Sequence, residues 1–400
     1  MDIVLLKATC KKLSSFSEGI LDIDFTADKR VYDYEKEENI VSHLFNSIYK
    51  LNSMAFVGIN AAGKTTALNI ISSILDIYIG NASLKYDMTL NRYFDDLLEI
   101  ETYYFQKEEK AIYKIYSLIK KDSENKSVYF KEETLYKKKI TGQTNKNNIY
   151  HFDESNKTLS RKKVDSDSMV FLKKEDSIFS SIMNKNDDHN TYIFDMCQTT
   201  NHNYLSNLSQ KLMIPFVNYL DSSIESLEAT PKKSPPTIEF TIKFKGNSGT
   251  TTVDYGELDD YLSSGTIKGI SCLSNIVRVF KGGGYLIIDE IENHFNKSIV
   301  INIIRMFSSS LNNSGATLIF STHYSEILDS IDRSDSIYVL NKTNEMSIKK
   351  FSKIASSKDR KDKKRSDLYL SGELNSAPSY KAYRALIESL REHLNGVIDK

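Results

Sequence analysis

Little in the sequence cross-links, punctuates or spans. Three cysteines, Cys10, Cys197 and Cys272, are odd in number and far apart among 400 residues. They form no CxxC pair, so neither a disulfide framework nor a zinc site organises the chain. Proline is scarce: five residues, four of them between Pro215 and Pro236. Net charge is absent, with 53 Lys+Arg against 53 Asp+Glu. That excludes a simple polycationic nucleic-acid binder while leaving room for a local basic patch. No apolar run reaches the ~18–20 residues a membrane span requires. The first 13 residues carry an early acid, late lysines and a very short apolar core, the wrong layout for a signal peptide. The expectation is a soluble cytoplasmic protein with no direct membrane insertion. What is present, 40% apolar and 26% charged residues, is ordinary globular composition. The length calls for one large domain with insertions or two smaller ones.

Periodicity predicts short strands over 3–7 and 20–25, and a loop with a short helix over 27–50. A buried strand over 54–57 ends at Gly58. A helix over 64–75 follows, with Ala67, Leu68, Ile71, Ile74 and Leu75 on one face. Residues 98–105 and 111–118 read as a Tyr- and Ile-rich hairpin. Residues 120–190 are polar, rich in Lys and Asn and without clear period, and read as an irregular insertion. Residues 203–229 read as helical. The proline cluster marks a junction, after which 237–244 alternates as a strand. From 262 onward helix and strand alternate, which argues for an α/β layer with a parallel sheet. No internal repeat and no sustained heptad run appear.

Gly58-Ile59-Asn60-Ala61-Ala62-Gly63-Lys64-Thr65 matches GxxxxGK[ST]. The glycines let backbone wrap phosphate oxygens, and Lys64 places a cation on the β- and γ-phosphates. Thr65 offers a hydroxyl to Mg²⁺, with Thr66 beside it, and the helix N-terminus faces the anion. Tyr285 to Ile288 is an apolar strand ending in Asp289 and Glu290. Ligands in such sheets sit beyond the strands' carboxyl ends. There Asp289 would hold Mg²⁺ beside Thr65, and Glu290 would orient the attacking water. Leu262-Ser263-Ser264-Gly265-Thr266 precedes a helix over 266–280 and starts 27 residues before Asp289. Such a sequence is either a plain N-cap or an anion site. Thr317 to Thr322 is a strand followed by His323.

These four motifs, in this order, resemble the ATP-binding cassette (ABC) ATPases. The resemblance makes Gly58–Thr65 the Walker A motif and Asp289 and Glu290 the Walker B acid and catalytic glutamate. It makes Leu262–Thr266 the signature and His323 the switch histidine. It implies an α/β fold, an ABC-ATPase-like P-loop NTPase head with a mixed sheet, plus an inserted mixed α+β and helical lid region. It further implies ATP and Mg²⁺ as ligands and a head-to-head homodimer or higher oligomer. In such a dimer Ser263, Ser264 and Gly265 of one head close on the nucleotide of the other. Ser264 and Thr266 depart from the transporter signature and resemble the SMC-like and OLD-like branches. Leu13-Ser14-Ser15-Phe16, Asp289 to Asn293, and Asp367 to Pro378 are similar to AAA-type ATPases of bacterial anti-phage and abortive-infection systems. That similarity implies a nucleotide-gated sensor or scaffold with a separate effector, a nuclease or toxin, and a DNA or phage-protein trigger. Alternatives are an SMC/RecF-like DNA-repair ATPase and the ATPase subunit of a transporter.

The expected division is a head lobe at 1–80, an insertion at 81–236, a second head lobe at 237–350 and a basic loop with a helix at 351–400. About 75 residues follow His323, without the paired acids of the nuclease domain that OLD-type proteins carry, so the effector is expected on another polypeptide. A clear Q-loop is missing. Gln106 is the nearest match, and a surface glutamine in a hairpin is its other reading. Residues 353–365 hold seven basic and two acidic side chains, either a solvated loop or a phosphate-binding run. Without interleaved aromatics the run offers no base stacking. Residues 379–394 form an amphipathic helix with Tyr383, Ile387, Leu390 and Leu394 on one face. It is expected to pack on its own domain rather than on a partner.

Overall fold

The computed structural model describes residues 2–87, 89–122, 127–163, 172–183, 191–197, 210–233, 236–293, 295–342, 345–355, 364–371 and 380–398. β1 (Ile3–Lys11) and β2 (Leu21–Asp24) form the first hairpin. α1 (Asp33–Glu37) is the short helix expected within 27–50. Residues 27–32 and 38–40 are loop as expected, but β3 (Val41–Phe45) and β4 (Ile48–Leu51) in the same stretch pair antiparallel. β5 (Ser53–Gly58) leads into α2 (Lys64–Tyr78), and β6 (Leu97–Gln106) with β7 (Ala111–Asp122) is the expected hairpin.

Residues 120–190 correct the expectation of an irregular insertion. β8 (Ser127–Lys139) extends the hairpin and β9 (Lys157–Ser160) pairs with it. α3 (Ile178–Met183) and β10 (Tyr192–Asp195) follow. β8 hides its period because one of its buried positions is Glu133. That carboxylate meets the Arg161 guanidinium at 3.1 Å and accepts from Ser177 Oγ and the Ile178 N–H. A buried charge is tolerated when paired and hydrogen-bonded.

The helix expected over 203–229 is only α4 (Gln210–Leu220) among the described residues. β11 (Ile224–Lys233) replaces its second half and pairs with β12 (Pro236–Phe244), which pairs with β13 (Thr251–Asp254). A register shift between Ile224 and Ser226 leaves Ile224 and Leu227 both buried, a spacing of three that imitates a helix. Pro231 lies in β11, an edge strand, and Pro236 begins β12. Both are places where a missing N–H is tolerated.

The remainder alternates as expected. α5 (Ser264–Gly282), β14 (Gly284–Ile288), α6 (Lys297–Phe307), β15 (Thr317–Thr322) and β16 (Ile337–Lys342) follow in turn. β17 (Met346–Lys350), α7 (Phe351–Ile354), α8 (Arg365–Leu370) and α9 (Tyr380–Ile398) close the chain. Of the expected apolar face of α9, Ile387 is half-buried while Tyr383, Leu390 and Leu394 are exposed, as is Leu386, which corrects the expectation that this helix packs on its own domain.

Two six-stranded sheets organise the molecule. One runs β2-β1-β6-β7-β8-β9, all antiparallel. The other runs β10-β14-β15-β5-β16-β17, parallel except for β17. The fold is therefore α/β with a mixed sheet. α2 lies between the sheets, with Leu68, Ile71 and Ile74 in one core with Met54, Phe56, Tyr285 and Ile287. Ala55, Val57, Leu286 and Ile288 point the other way, onto α5 and α6. Burial on both faces explains why these strands read as unbroken apolar runs.

Arg333 ties the chain's two ends together. Its guanidinium meets Glu35 at 2.7 Å and Asp335 at 2.6 Å, and all three side chains are buried. Arg333→Met would leave two uncompensated buried carboxylates. The expected loss is about 3–5 kcal/mol, measured as a lower midpoint in urea unfolding. Arg384→Met, on exposed α9, should leave the midpoint unchanged.

Candidate nucleotide site

Three parallel strands end side by side: β5 at Gly58, β15 at Thr322 and β14 at Ile288. The segments leaving them carry the sequence-predicted residues. Gly58 begins the cradle because a Cβ there would lie 2.5 Å from the Leu340 carbonyl oxygen. Gly63 takes φ +95°, a left-handed conformation glycine adopts without strain. Asn60, Ala61, Ala62, Gly63, Lys64, Thr65 and Thr66 then line a cavity of about 700 Å³. Glu290, His323, Lys342 and Met346 complete its wall.

Lys64 is buried, and its ammonium donates to the carbonyls of Gly58 (2.9 Å) and Ile59 (3.2 Å). Burial lowers its pKa, while the charges of Glu290, Asp289 and Glu292 pull the other way. Lys64 Nζ also lies 3.1 Å from His323 Nδ1. Since the ammonium is a donor, Nδ1 accepts and the ring proton sits on Nε2. Nε2 then donates to Glu290 Oε1 at 3.0 Å. The second Glu290 oxygen accepts from Asn293 Nδ2 at 2.5 Å. The hydrogen bond from His323, ahead of the opposing cost of burial, holds the Glu290 carboxyl below its usual range. Glu290 also takes φ +46°, a strained conformation for a residue with a side chain, of the kind that collects at functional sites.

Thr65 Oγ1 donates to Asp289 Oδ2 at 2.6 Å. Two hard oxygen donors from different motifs thus meet at one point, a donor set that fits Mg²⁺. Ser321 Oγ donates to Asp289 Oδ1 and accepts from the Glu290 N–H at 2.7 Å, fixing the acidic pair on β15. The His323 N–H donates to Glu292 Oε1 at 2.5 Å, and Glu292 Oε2 is buried without a partner among the described residues.

Some expected residues fall elsewhere. Ser263 is the N-cap of α5, its Oγ accepting from the Thr266 N–H at 3.1 Å. Neither it nor Ser264 nor Gly265 lines the cavity. Gln106 is buried at the end of β6 in the antiparallel sheet, where its Oε1 accepts from the Glu109 N–H. It is a turn residue and not part of the site. The outer strand beside β14 is instead β10, and just past its end at Asp195, Cys197 lies near Asp289. Next in sequence comes Gln198, outside the described residues. Lys361 and Lys363 of the basic run also lie outside them. Arg365 is committed internally, donating to the carbonyls of Leu328, Ile331 and Asp332.

Ser321, Lys342 and Met346 were missed by sequence reasoning. Ser321 carried a weak signal as a hydroxyl two residues before His323. Lys342 and Met346 carried none, since only the β16–β17 hairpin brings them beneath the cradle.

A family model described as "AAA domain, putative AbiEii toxin, Type IV TA system" matches residues 53–329. The chain belongs to this AAA-domain family. The matched span includes the cradle, the acidic pair and His323. No curated protein matches the chain. Among solved structures, the SMC head domain from Thermotoga maritima is 13% identical with a TM-score of 0.43. The match covers 86% of this chain and 98% of that one. A second, the SmcHead bound to the C-winged helix domain of ScpA, is 11% identical with a TM-score of 0.45. That match covers 87% and 99%. No helix among the described residues is long and apolar enough to cross a membrane.

The cradle's geometry makes a direct prediction. Gly58→Ala should lower the thermal unfolding midpoint by several degrees, because its Cβ meets backbone. Gly142→Ala, with nothing within 4 Å, should leave the midpoint in place.

Proposed function

We propose that this protein binds and hydrolyses ATP, and that two heads share each nucleotide. The observation that carries the reading is the convergence of Lys64, Thr65, Glu290 and His323 on one cavity, with Asp289 bonded to Thr65 beside it. Lys64 is a buried cation bonded to neutral carbonyls, and phosphate oxygens are better partners for it. Thr65 and Asp289 would hold Mg²⁺, which when bound neutralises charge on the β- and γ-phosphates. Glu290, ionised at neutral pH, orients the attacking water and accepts its proton. His323 holds Glu290 in place and reaches the γ-phosphate side of the cavity. Asn60, Ala61, Ala62, Gly63 and Thr66 give the backbone wall around the phosphates.

The position of Ser263, Ser264 and Gly265 outside their own chain's cavity supports a head-to-head dimer. There they would close on the partner's nucleotide. Within that frame the protein acts as a nucleotide-gated sensor or scaffold in bacterial anti-phage defence, controlling a separate nuclease or toxin effector after a DNA or phage-protein trigger. The family description, with its Type IV toxin–antitoxin wording, supports a place in such a system.

The test is Glu290→Gln. Turnover should fall at least a hundredfold while ATP binding persists, and an ATP-dependent dimer should accumulate on light scattering. Unchanged turnover, or a monomer mass under all nucleotide conditions, would contradict the mechanism or the sandwich respectively.

A further inference from the structure

A second cavity, of about 420 Å³, opens at the other end of the parallel sheet. It lies where the 312–315 turn enters β15 and where the β3–β4 hairpin meets the antiparallel sheet. β15 separates it from the nucleotide cavity by about 17 Å, at roughly 3.3 Å per residue.

Its wall is cationic. Lys36, His43, Lys50 and Lys107 line it, and no carboxylate does so among the described residues. Lys50 is the unusual member, on β4 and only 1% exposed. Its ammonium donates to the Gly315 carbonyl and, at 2.6 Å, to Thr317 Oγ1. Both acceptors are neutral. The ammonium also lies 5.8 Å from the centre of the Tyr285 ring. Burial alone lowers its pKa, to about 7, and no acidic neighbour offsets the shift. A buried cation without a counter-charge is costly, and an anion in the cavity would supply one. Val4 and Phe105, paired neighbours in the antiparallel sheet, line it as well and are apolar. Tyr49 also lines it, its ring 5.8 Å from the Lys36 ammonium, which itself pairs with Asp33 at 2.7 Å. Cations and apolar side chains together, lining a space of ligand size, suit an anion that carries an organic group.

We propose that this cavity binds a phosphate-bearing ligand of about mononucleotide size, with Lys50 and Lys107 facing the phosphate and Val4 and Phe105 facing the organic part. The phosphate can come from a free small molecule or from the 5′ end of a nucleic acid. Both present the same dianion.

The test is calorimetric titration of the full chain with phenyl phosphate and with a short 5′-phosphorylated oligonucleotide. The wild type, Lys64→Ala, Lys50→Met and Lys107→Ala are compared. Wild type and Lys64→Ala should bind at least one of the two probes alike, and the tighter probe identifies the source. Lys50→Met and Lys107→Ala should each bind at least tenfold more weakly. Binding an anion favours the charged form of Lys50 and raises its pKa. At pH 8, where that group is mostly neutral, binding should therefore take up close to one proton, seen by repeating the titration in two buffers. Lys50→Met should lose this uptake. Lys107 is exposed, so Lys107→Ala keeps the test open if Lys50→Met fails to fold. Unchanged affinity in the lysine variants would overturn the proposal, as would binding lost with Lys64→Ala or no binding of either probe.

Discussion

The buried ammonium of Lys64 sets the terms for the nucleotide site. It sits where the parallel strands end, and its partners are carbonyl oxygens and one imidazole nitrogen. Carbonyls satisfy its protons without neutralising its charge. That charge is felt by the three carboxylates around it, Asp289, Glu290 and Glu292. Through His323 it also fixes which ring nitrogen carries a proton, and therefore which way Glu290 is held. The strained backbone of Glu290 and the Ser321 clamp on both acids are the local means by which β14 and β15 keep this arrangement.

The scaffold behind these contacts is simple in physical terms. Strands covered on both faces are apolar throughout, and β5, β14 and β15 are so covered. Their common direction brings the cradle, the acidic pair and the histidine to one edge. The antiparallel sheet does different work. It covers α2 from the far side and, with the β3–β4 hairpin, walls the second cavity.

This contrast explains what was legible in the sequence. The parallel sheet and its motifs could be read because apolar runs and phosphate-cradling residues follow strict local rules. β8 could not, because Glu133 occupies a core position and Arg161, distant in sequence, makes that position tenable. β4 was obscured in the same way by Lys50. β11 imitated a helix through a register shift. Each miss came from a polar group, or an extra residue, whose justification lies elsewhere in the chain. Gln106 shows the converse: the candidate named for its residue type sits in a turn of the other sheet. The strand beside β14 is fixed by pairing, which sequence spacing does not reveal.

The proposed dimer builds each nucleotide site from two copies of this chain. It is tested most directly by mixing two inactive variants, Lys64→Ala and Gly265→Arg. Gly265→Arg blocks the signature while leaving the Ser263 cap of α5 in place. In a shared-site dimer, the Gly265→Arg chain supplies an intact cradle and the Lys64→Ala chain an intact signature. The mixture should therefore hydrolyse ATP although neither variant does so alone. A mixture as inactive as its components, or full turnover by Gly265→Arg alone, would contradict the account.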